Sequence, residues 1–281
     1  TDDKREMTLC HLLTHSSGFQ AIIELWNKQM SYDEKIKYIL NLPLHSKPGK
    51  KVIYSDPNFI LLGELIRRVS AKGIDKFCSE YIFQILDMNR THFNPLEKNI
   101  KGENKYAATE FCKWRDKIVV GEVADKNSYY FNGVSGHAGL FSTINDIMKF
   151  VQMLLNKGVY ADTNFLTART IDIMTKNWTS KLNHNRGLGW DLINNFRSSG
   201  GIMFSPLAFG HTGFTGSSIW IDPVIKTGVI LLTNRVHPTR ENTKIINFRP
   251  KLHNLIVTQL QKVGLIKFPT IEGVIKEIYR N

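Results

Sequence analysis

The chain has 281 residues, 42% hydrophobic and 22% charged: enough apolar material for a large core, and too balanced a mixture for a disordered segment. Lys and Arg number 37 against 25 Asp and Glu, but the net charge of +12 is dispersed. The densest basic stretch, Lys47-Pro48-Gly49-Lys50-Lys51, is too short for a nucleic-acid arm, so no nucleic-acid partner is expected.

Cys10, Cys78 and Cys112 lie far apart without a Cys-x-x-Cys spacing or a neighbouring histidine pair, which argues against a disulfide framework and a zinc site. No apolar run reaches the length of a membrane span. Thr8 is placed to cap a helix carrying Leu9, Leu12 and Leu13, and Ser31 with Glu34 forms a capping box ahead of Ile36, Ile39 and Leu40. Asp56-Pro57 reads as a cap followed by proline at the first helical position. Phe59, Leu62, Leu65, Ile66 and Val69 then keep helical spacing, predicting a helix over 57–70. A further apolar stripe follows at Phe77, Tyr81 and Ile82, whereas 94–135 is polar, turn-rich and without a period. Thr143 and Asp146 start a helix through Ile147, Phe150, Val151 and Leu154 that ends at Gly158.

Beyond residue 185 the pattern becomes strand-like. Residues 207–212, 217–221 and 229–233 are short β-rich runs separated by Gly, Pro and Asp, as in an antiparallel meander. Leu252, Leu255, Ile256 and Leu260 then predict a closing helix from Lys251. This order implies an α+β fold, one domain over 1–264 that is mainly helical over 1–185 and sheet with closing helix over 186–264, followed by a tail over 265–281. Residue 1 is Thr rather than Met, so the chain is expected to begin inside a longer protein whose earlier part could hold a signal peptide or membrane anchor.

Five segments carry a family resemblance. Gly210-His211-Thr212-Gly213-Phe214-Thr215-Gly216, with the strand after it, resembles the Lys-Thr-Gly element of serine penicillin-recognising enzymes. His11-Leu12-Leu13-Thr14-His15-Ser16-Ser17-Gly18-Phe19 is similar to a segment shared by class C β-lactamases, DD-peptidases and related esterases. Tyr54-Ser55-Asp56 resembles their Tyr-x-Asn motif, Gly136-His137-Ala138-Gly139-Leu140-Phe141-Ser142-Thr143 with Asp146 their Gly-Leu-x-Ser-Thr helix start, and Gly187-Leu188-Gly189-Trp190 their Gly-Leu-Gly-Trp strand. On these segments the chain is identified as a member of the serine β-lactamase-like, penicillin-recognising superfamily. The resemblance implies an antiparallel sheet flanked by helices plus an all-helical region, lacking the N-terminal strands and nucleophile helix, because no serine here has lysine three residues on.

The resemblance further implies acyl-enzyme chemistry on an amide or ester, as in a D-alanyl-D-alanine carboxypeptidase or esterase, at the cell envelope or outside the cell, on a small-molecule or peptidoglycan-peptide substrate. Tyr54 would shuttle the proton of a serine nucleophile with a lysine absent from this chain. Asp56 stands where the family has asparagine; it cannot donate to a substrate carbonyl, but could pair with that lysine or cap the helix from Pro57. His211 would act as a partly charged donor, Thr212 would offer its hydroxyl to a substrate carboxylate or carbonyl, and after Gly213 the Phe214 N–H would form half of an oxyanion hole. Arg235 is a candidate for a substrate carboxylate.

No cofactor and no metal are expected: His15, His137 and His237 lie far apart in sequence, and the family implies none. By itself the chain is expected to be inactive, and a non-catalytic module binding an envelope ligand is the alternative. The literal Lys226-Thr227-Gly228 reads as a hairpin turn after Asp222-Pro223, and Thr1-Asp2-Asp3-Lys4, with nucleophile spacing, as a polar terminus. Gly133-Val134-Ser135-Gly136 is followed by His137, so the Gly-x-Ser-x-Gly elbow of an α/β-hydrolase is missing.

Overall fold

The computed structural model describes residues 2–26, 28–96, 106–193 and 198–268. Thr1, part of the stretch 94–135 and the tail beyond Phe268 lie outside them. The chain forms an α+β fold and divides into two compact units, Thr1–Asp146 with Lys181–Asn183, and Ile147–Ser180 with His184–Asn281.

The first unit is mostly helical. After a 3₁₀ turn (Asp2–Glu6), α1 (Leu9–Leu13) has the predicted cap: Thr8 Oγ1 accepts from the His11 N–H at 3.3 Å, and His11 Nδ1 accepts from the Thr8 N–H at 3.2 Å. Helix α2 (Tyr32–Asn41) has the Ser31–Glu34 capping box. Helix α3 (Asp56–Ser70) starts at Asp56, with Ser55 in the cap position and no side-chain cap, which corrects the reading of Asp56 as a cap. The Ser55 hydroxyl instead donates to Gln20 O at 2.7 Å. Buried Leu12, Phe19, Ile36, Ile39, Ile60 and Phe131 join α1, α2 and α3 in one core.

Helix α4 (Ile74–Cys78) continues into one π turn (Ser79–Phe83). The stretch without a period holds the hairpin of β2 (Phe111–Cys112) with β3 (Lys117–Ile118) and the short α5 (Lys126–Tyr130), elements too brief to imprint one. Ahead of them β1 (His92–Phe93) pairs antiparallel with β4 (Leu140–Phe141). Helix α6 (Ile144–Leu155) begins with Thr143 Oγ1 accepting the Asp146 N–H at 3.3 Å. The Asp146 carboxylate takes the Arg90 N–H and the Thr91 hydroxyl at 2.8 and 2.7 Å, so this motif residue ties the start of α6 to β1. The division between the units falls in the first turn of α6.

The second unit holds the sheet. A small hairpin, β5 (Val159–Tyr160) with β6 (Thr163–Asn164), and α7 (Ala168–Thr175) precede it. Strands β7 (Asp191–Leu192), β8 (Phe209–Thr212), β9 (Gly216–Asp222) and β10 (Thr227–Asn234) form an antiparallel sheet in the order β10-β9-β8-β7. Helix α8 (Ile245–Lys262) starts ahead of Pro250 rather than after it, since proline in the second turn forfeits only the bond to Ile246 O. On one sheet face Trp220 and Val229 pack with Val257 of α8. On the other, Gly228 lies against Val151 and Leu155 of α6, and the Trp190 ring meets Phe209 at 5.1 Å. The literal Lys226-Thr227-Gly228 is the hairpin exit the sequence suggested: Lys226 sits in the turn at φ 50° and Thr227 pairs with Asp222.

Candidate active site

Tyr54 and Asp56 belong to the first unit, His211, Thr212, Gly213, Phe214 and Arg235 to the second.

In the first unit the His-Leu-Leu-Thr-His-Ser-Ser-Gly segment holds the start of α3. His15, buried and in the left-handed region at φ 57°, takes the Ser55 N–H onto Nδ1 at 3.0 Å and the Asn58 amide onto the same nitrogen at 3.2 Å. The Ser17 hydroxyl donates to Asn58 Oδ1 at 2.5 Å, and the Ile53 N–H to His15 O at 2.8 Å. Tyr54 is thus fixed by its backbone on both sides. Its ring lies 4.3 Å from that of His15, and the residue is 49% exposed. Sequence reading passed over this positioning role of His15, Ser17 and Asn58, although two of them stand in the quoted segment.

The side chain of Asp56, the first residue of α3, accepts no hydrogen bond among the described residues. Burial raises its carboxyl above the ordinary range and the Asp125 charge adds to this, while His137 opposes it. Asp125 caps α5, accepting the Ser128 N–H at 2.7 Å, and receives His137 Nε2 at 2.9 Å. Burial alone would raise Asp125, but the His137 bond and charge, with the Ser128 and Asn127 N–H groups, hold it below the ordinary range. The other ring nitrogen of His137 lies 2.8 Å from Ser135 Oγ. Asp56, Asp125 and His137 therefore meet, each offering an oxygen or nitrogen within 4.8 Å of the others, a grouping that the sequence candidates did not include.

In the second unit β7 pairs with β8 only at Phe209 and Gly210, so His211 and Thr212 extend past it, paired only with β9. The Gly213 N–H donates to Ser217 O at 2.7 Å, and the alternation of an antiparallel ladder then turns the N–H and C=O of Thr212 toward the edge away from β9. Gly210 is required by packing, since a Cβ there would meet the fully buried Trp220 indole at 2.6 Å. Gly213 has no such requirement: the nearest atom to a Cβ is 3.7 Å away.

His211 Nδ1–H donates to Thr212 O at 2.9 Å, leaving Nε2 as the acceptor nitrogen of the neutral ring. Burial lowers its pKa from the usual histidine value, as do the Arg186 and Arg249 cations, against the opposing pull of Asp191 and the Thr212 carbonyl. The environment of His211 thus favours the neutral ring over the charged one.

Phe214 lies in the turn closed by the Gly216 N–H to Gly213 O bond at 3.1 Å; its own N–H has no acceptor among the described residues. Arg235 is engaged with this turn. Its Nε donates to Phe214 O at 2.8 Å, its Nη1 to Arg240 O and Asn242 O at 2.6 and 2.8 Å, and its guanidinium lies 4.5 Å from the Phe214 ring centroid. Arg249 of α8, absent from the sequence candidates, grips the turn as well: Nε donates to Gly216 O at 3.1 Å and Nη2 to Gly213 O and Ser217 O at 2.8 and 3.0 Å.

The β-lactamase family model matches residues 1–249. A protein of Escherichia coli strain K12 named "Putative D-alanyl-D-alanine carboxypeptidase" is 36% identical over 255 residues, which make up 83% of this chain and 58% of that protein. The chain thus spans under two thirds of this relative's length. Among solved structures, a β-lactamase from Mycobacterium bovis superposes with a TM-score of 0.60 at 19% identity, covering 90% of this chain and 74% of that one. The octameric penicillin-binding protein homologue of Pyrococcus abyssi gives 0.61 at 22% identity, covering 88% and 55%. By its family match, with these solved structures sharing its fold, the chain belongs to the β-lactamase family of serine hydrolases.

Proposed function

We propose that the protein to which this chain belongs is a cell-envelope hydrolase that transfers the acyl group of a D-alanyl-D-alanine-type peptide, or of an ester, to a serine and then to water. The β8 edge carries the reading. Thr212 presents its backbone outward, Gly213 leaves space that the fold does not need, and the Phe214 N–H has no acceptor, an arrangement suited to an extended acyl substrate and its oxyanion. Tyr54, a half-exposed residue whose backbone is held by His15, supplies a group able to take the serine proton. The names of the relatives favour the carboxypeptidase over the esterase.

Asp56 in place of asparagine removes an amide donor, which weakens efficient turnover of a β-lactam or of a peptide alike. Since the 281 residues contain no Ser-x-x-Lys, the chain alone forms no acyl-enzyme, and ligand binding without chemistry is the second reading.

The test is labelling with a fluorescent penicillin, read on a denaturing gel. The 281-residue chain stays unlabelled, whereas the product of its reading frame extended upstream through a Ser-x-x-Lys is labelled and releases D-alanine from a D-alanyl-D-alanine peptide. Tyr54→Phe in that product slows acylation about 100-fold or more. An extended product that binds the peptide but is never acylated establishes the second reading instead.

A further inference from the structure

The meeting of Asp56, Asp125 and His137 is built into rigid parts of the first unit. Asp56 opens α3, Asp125 caps α5, and His137 lies on the glycine-rich loop over 133–139. That loop is pressed onto α3 at Gly136, where a Cβ would meet Phe59 O at 2.1 Å and Gly63 N at 3.2 Å. It is fastened to α5 by the Ser128 hydroxyl, which donates to Ala138 O at 2.8 Å, and it turns through Gly139 at φ +119°. The three side chains are therefore held together before any ligand arrives.

Their chemistry is unbalanced without a cation. Two carboxylates share a partly buried space; among the described residues the Asp56 carboxylate has no hydrogen-bond donor, and His137 is the one imidazole that faces the pair, with the Ser128 N–H on Asp125. The ring has the outer support typical of a metal-bound histidine, a hydroxyl 2.8 Å from the nitrogen that would not face the ion. One nitrogen and two carboxylate oxygens make a donor set for Zn²⁺ with a position left open to water.

We propose that Asp56, Asp125 and His137 form a Zn²⁺-binding site, with Ser135 orienting the imidazole. The ion takes one oxygen from each carboxylate and the lone pair of His137 Nε2. The Nε2 proton, now shared with Asp125, gives way to the tautomer protonated at Nδ1, which donates to Ser135 Oγ. Ligand bonds of about 2.0–2.2 Å require the three atoms to close up slightly, which the Asp56 and Asp125 side chains accomplish by rotation. This inference does not depend on the hydrolase reading.

The experiment is calorimetric titration of the chelator-treated 281-residue chain with Zn²⁺, and with Mg²⁺ and Ca²⁺ for comparison. One equivalent of Zn²⁺ binds, and Mg²⁺ and Ca²⁺ bind at least tenfold more weakly. Asp56→Asn and His137→Ala each weaken Zn²⁺ binding by more than tenfold, and Ser135→Ala by about tenfold. Circular dichroism confirms folding; Asp56→Asn removes no side-chain hydrogen bond among the described residues and so serves if His137→Ala fails to fold. Absence of Zn²⁺ uptake overturns the proposal. So does uptake unchanged in Asp56→Asn, which would place the metal on the cysteines or on other histidines.

Discussion

The Ser55 backbone N–H, immediately before α3, donates to Nδ1 of His15 at 3.0 Å. Because the Asn58 amide donates to the same nitrogen, Nδ1 must be the unprotonated one, and the ring proton sits on Nε2. His15 is thus the hinge-pin between the segment after α1 and the residues on either side of Tyr54.

His15→Ala leaves a buried backbone N–H and a buried amide without their acceptor. The expected cost is about 2–4 kcal/mol, read as a lower urea midpoint with an unchanged slope. A loss under about 0.5 kcal/mol would mean that the start of α3 is held by other contacts.

Arg249 is the corresponding support for the turn at 213–216, with three bonds to carbonyls from one guanidinium. Arg249→Lys keeps the charge but cannot reproduce the fork, so it destabilises by about 1.5–3 kcal/mol and speeds amide hydrogen exchange at Gly216, whose bond to Gly213 O closes the turn. Wild-type exchange rates in the lysine variant would show that the turn is self-supporting.

Acid should weaken the fold before the carboxylates titrate. His253, fully buried with Nδ1–H donating to Ser199 O at 2.9 Å, is held below the usual value of 6.5 by burial and by the Arg249 charge, despite the Ser199 carbonyl; His211 is lowered as well. Both have a lower pKa folded than unfolded, so the unfolded chain binds more protons as the pH falls below about 6.5. Their contribution is complete above about pH 6.5 and is lost as the pH falls through the folded values. Unfolding free energy should be level from pH 8 to 7 and decline from 6.5 to 5, less steeply in His253→Asn, which keeps a donor for Ser199 O. A rise on acidification would contradict the assignment.

How far the sequence could be read differs from element to element. Strands β8 to β10 appeared within two residues at most ends because alternation and Gly, Pro and Asp breaks are local signals. The β2–β3 hairpin did not, since two-residue strands have no period. The Gly210-His211-Thr212-Gly213 motif was legible as a pattern, but its two glycines have different reasons. Gly210 yields to a tryptophan from the neighbouring strand, whereas nothing in the fold claims Gly213.

The sequence by itself determined the helix starts at Thr8 and Ser31, the helix after Tyr54, the meander and the family, because caps, periodicity and motif order are written in neighbouring residues. Tertiary structure alone decided that Asp56 is no cap but faces Asp125 and His137, that burial lowers the pKa of His211, and that Arg249 braces the turn it was never read with. Burial and the encounter of residues distant in the chain set the charge state and partner of a side chain, and neither is encoded in local spacing.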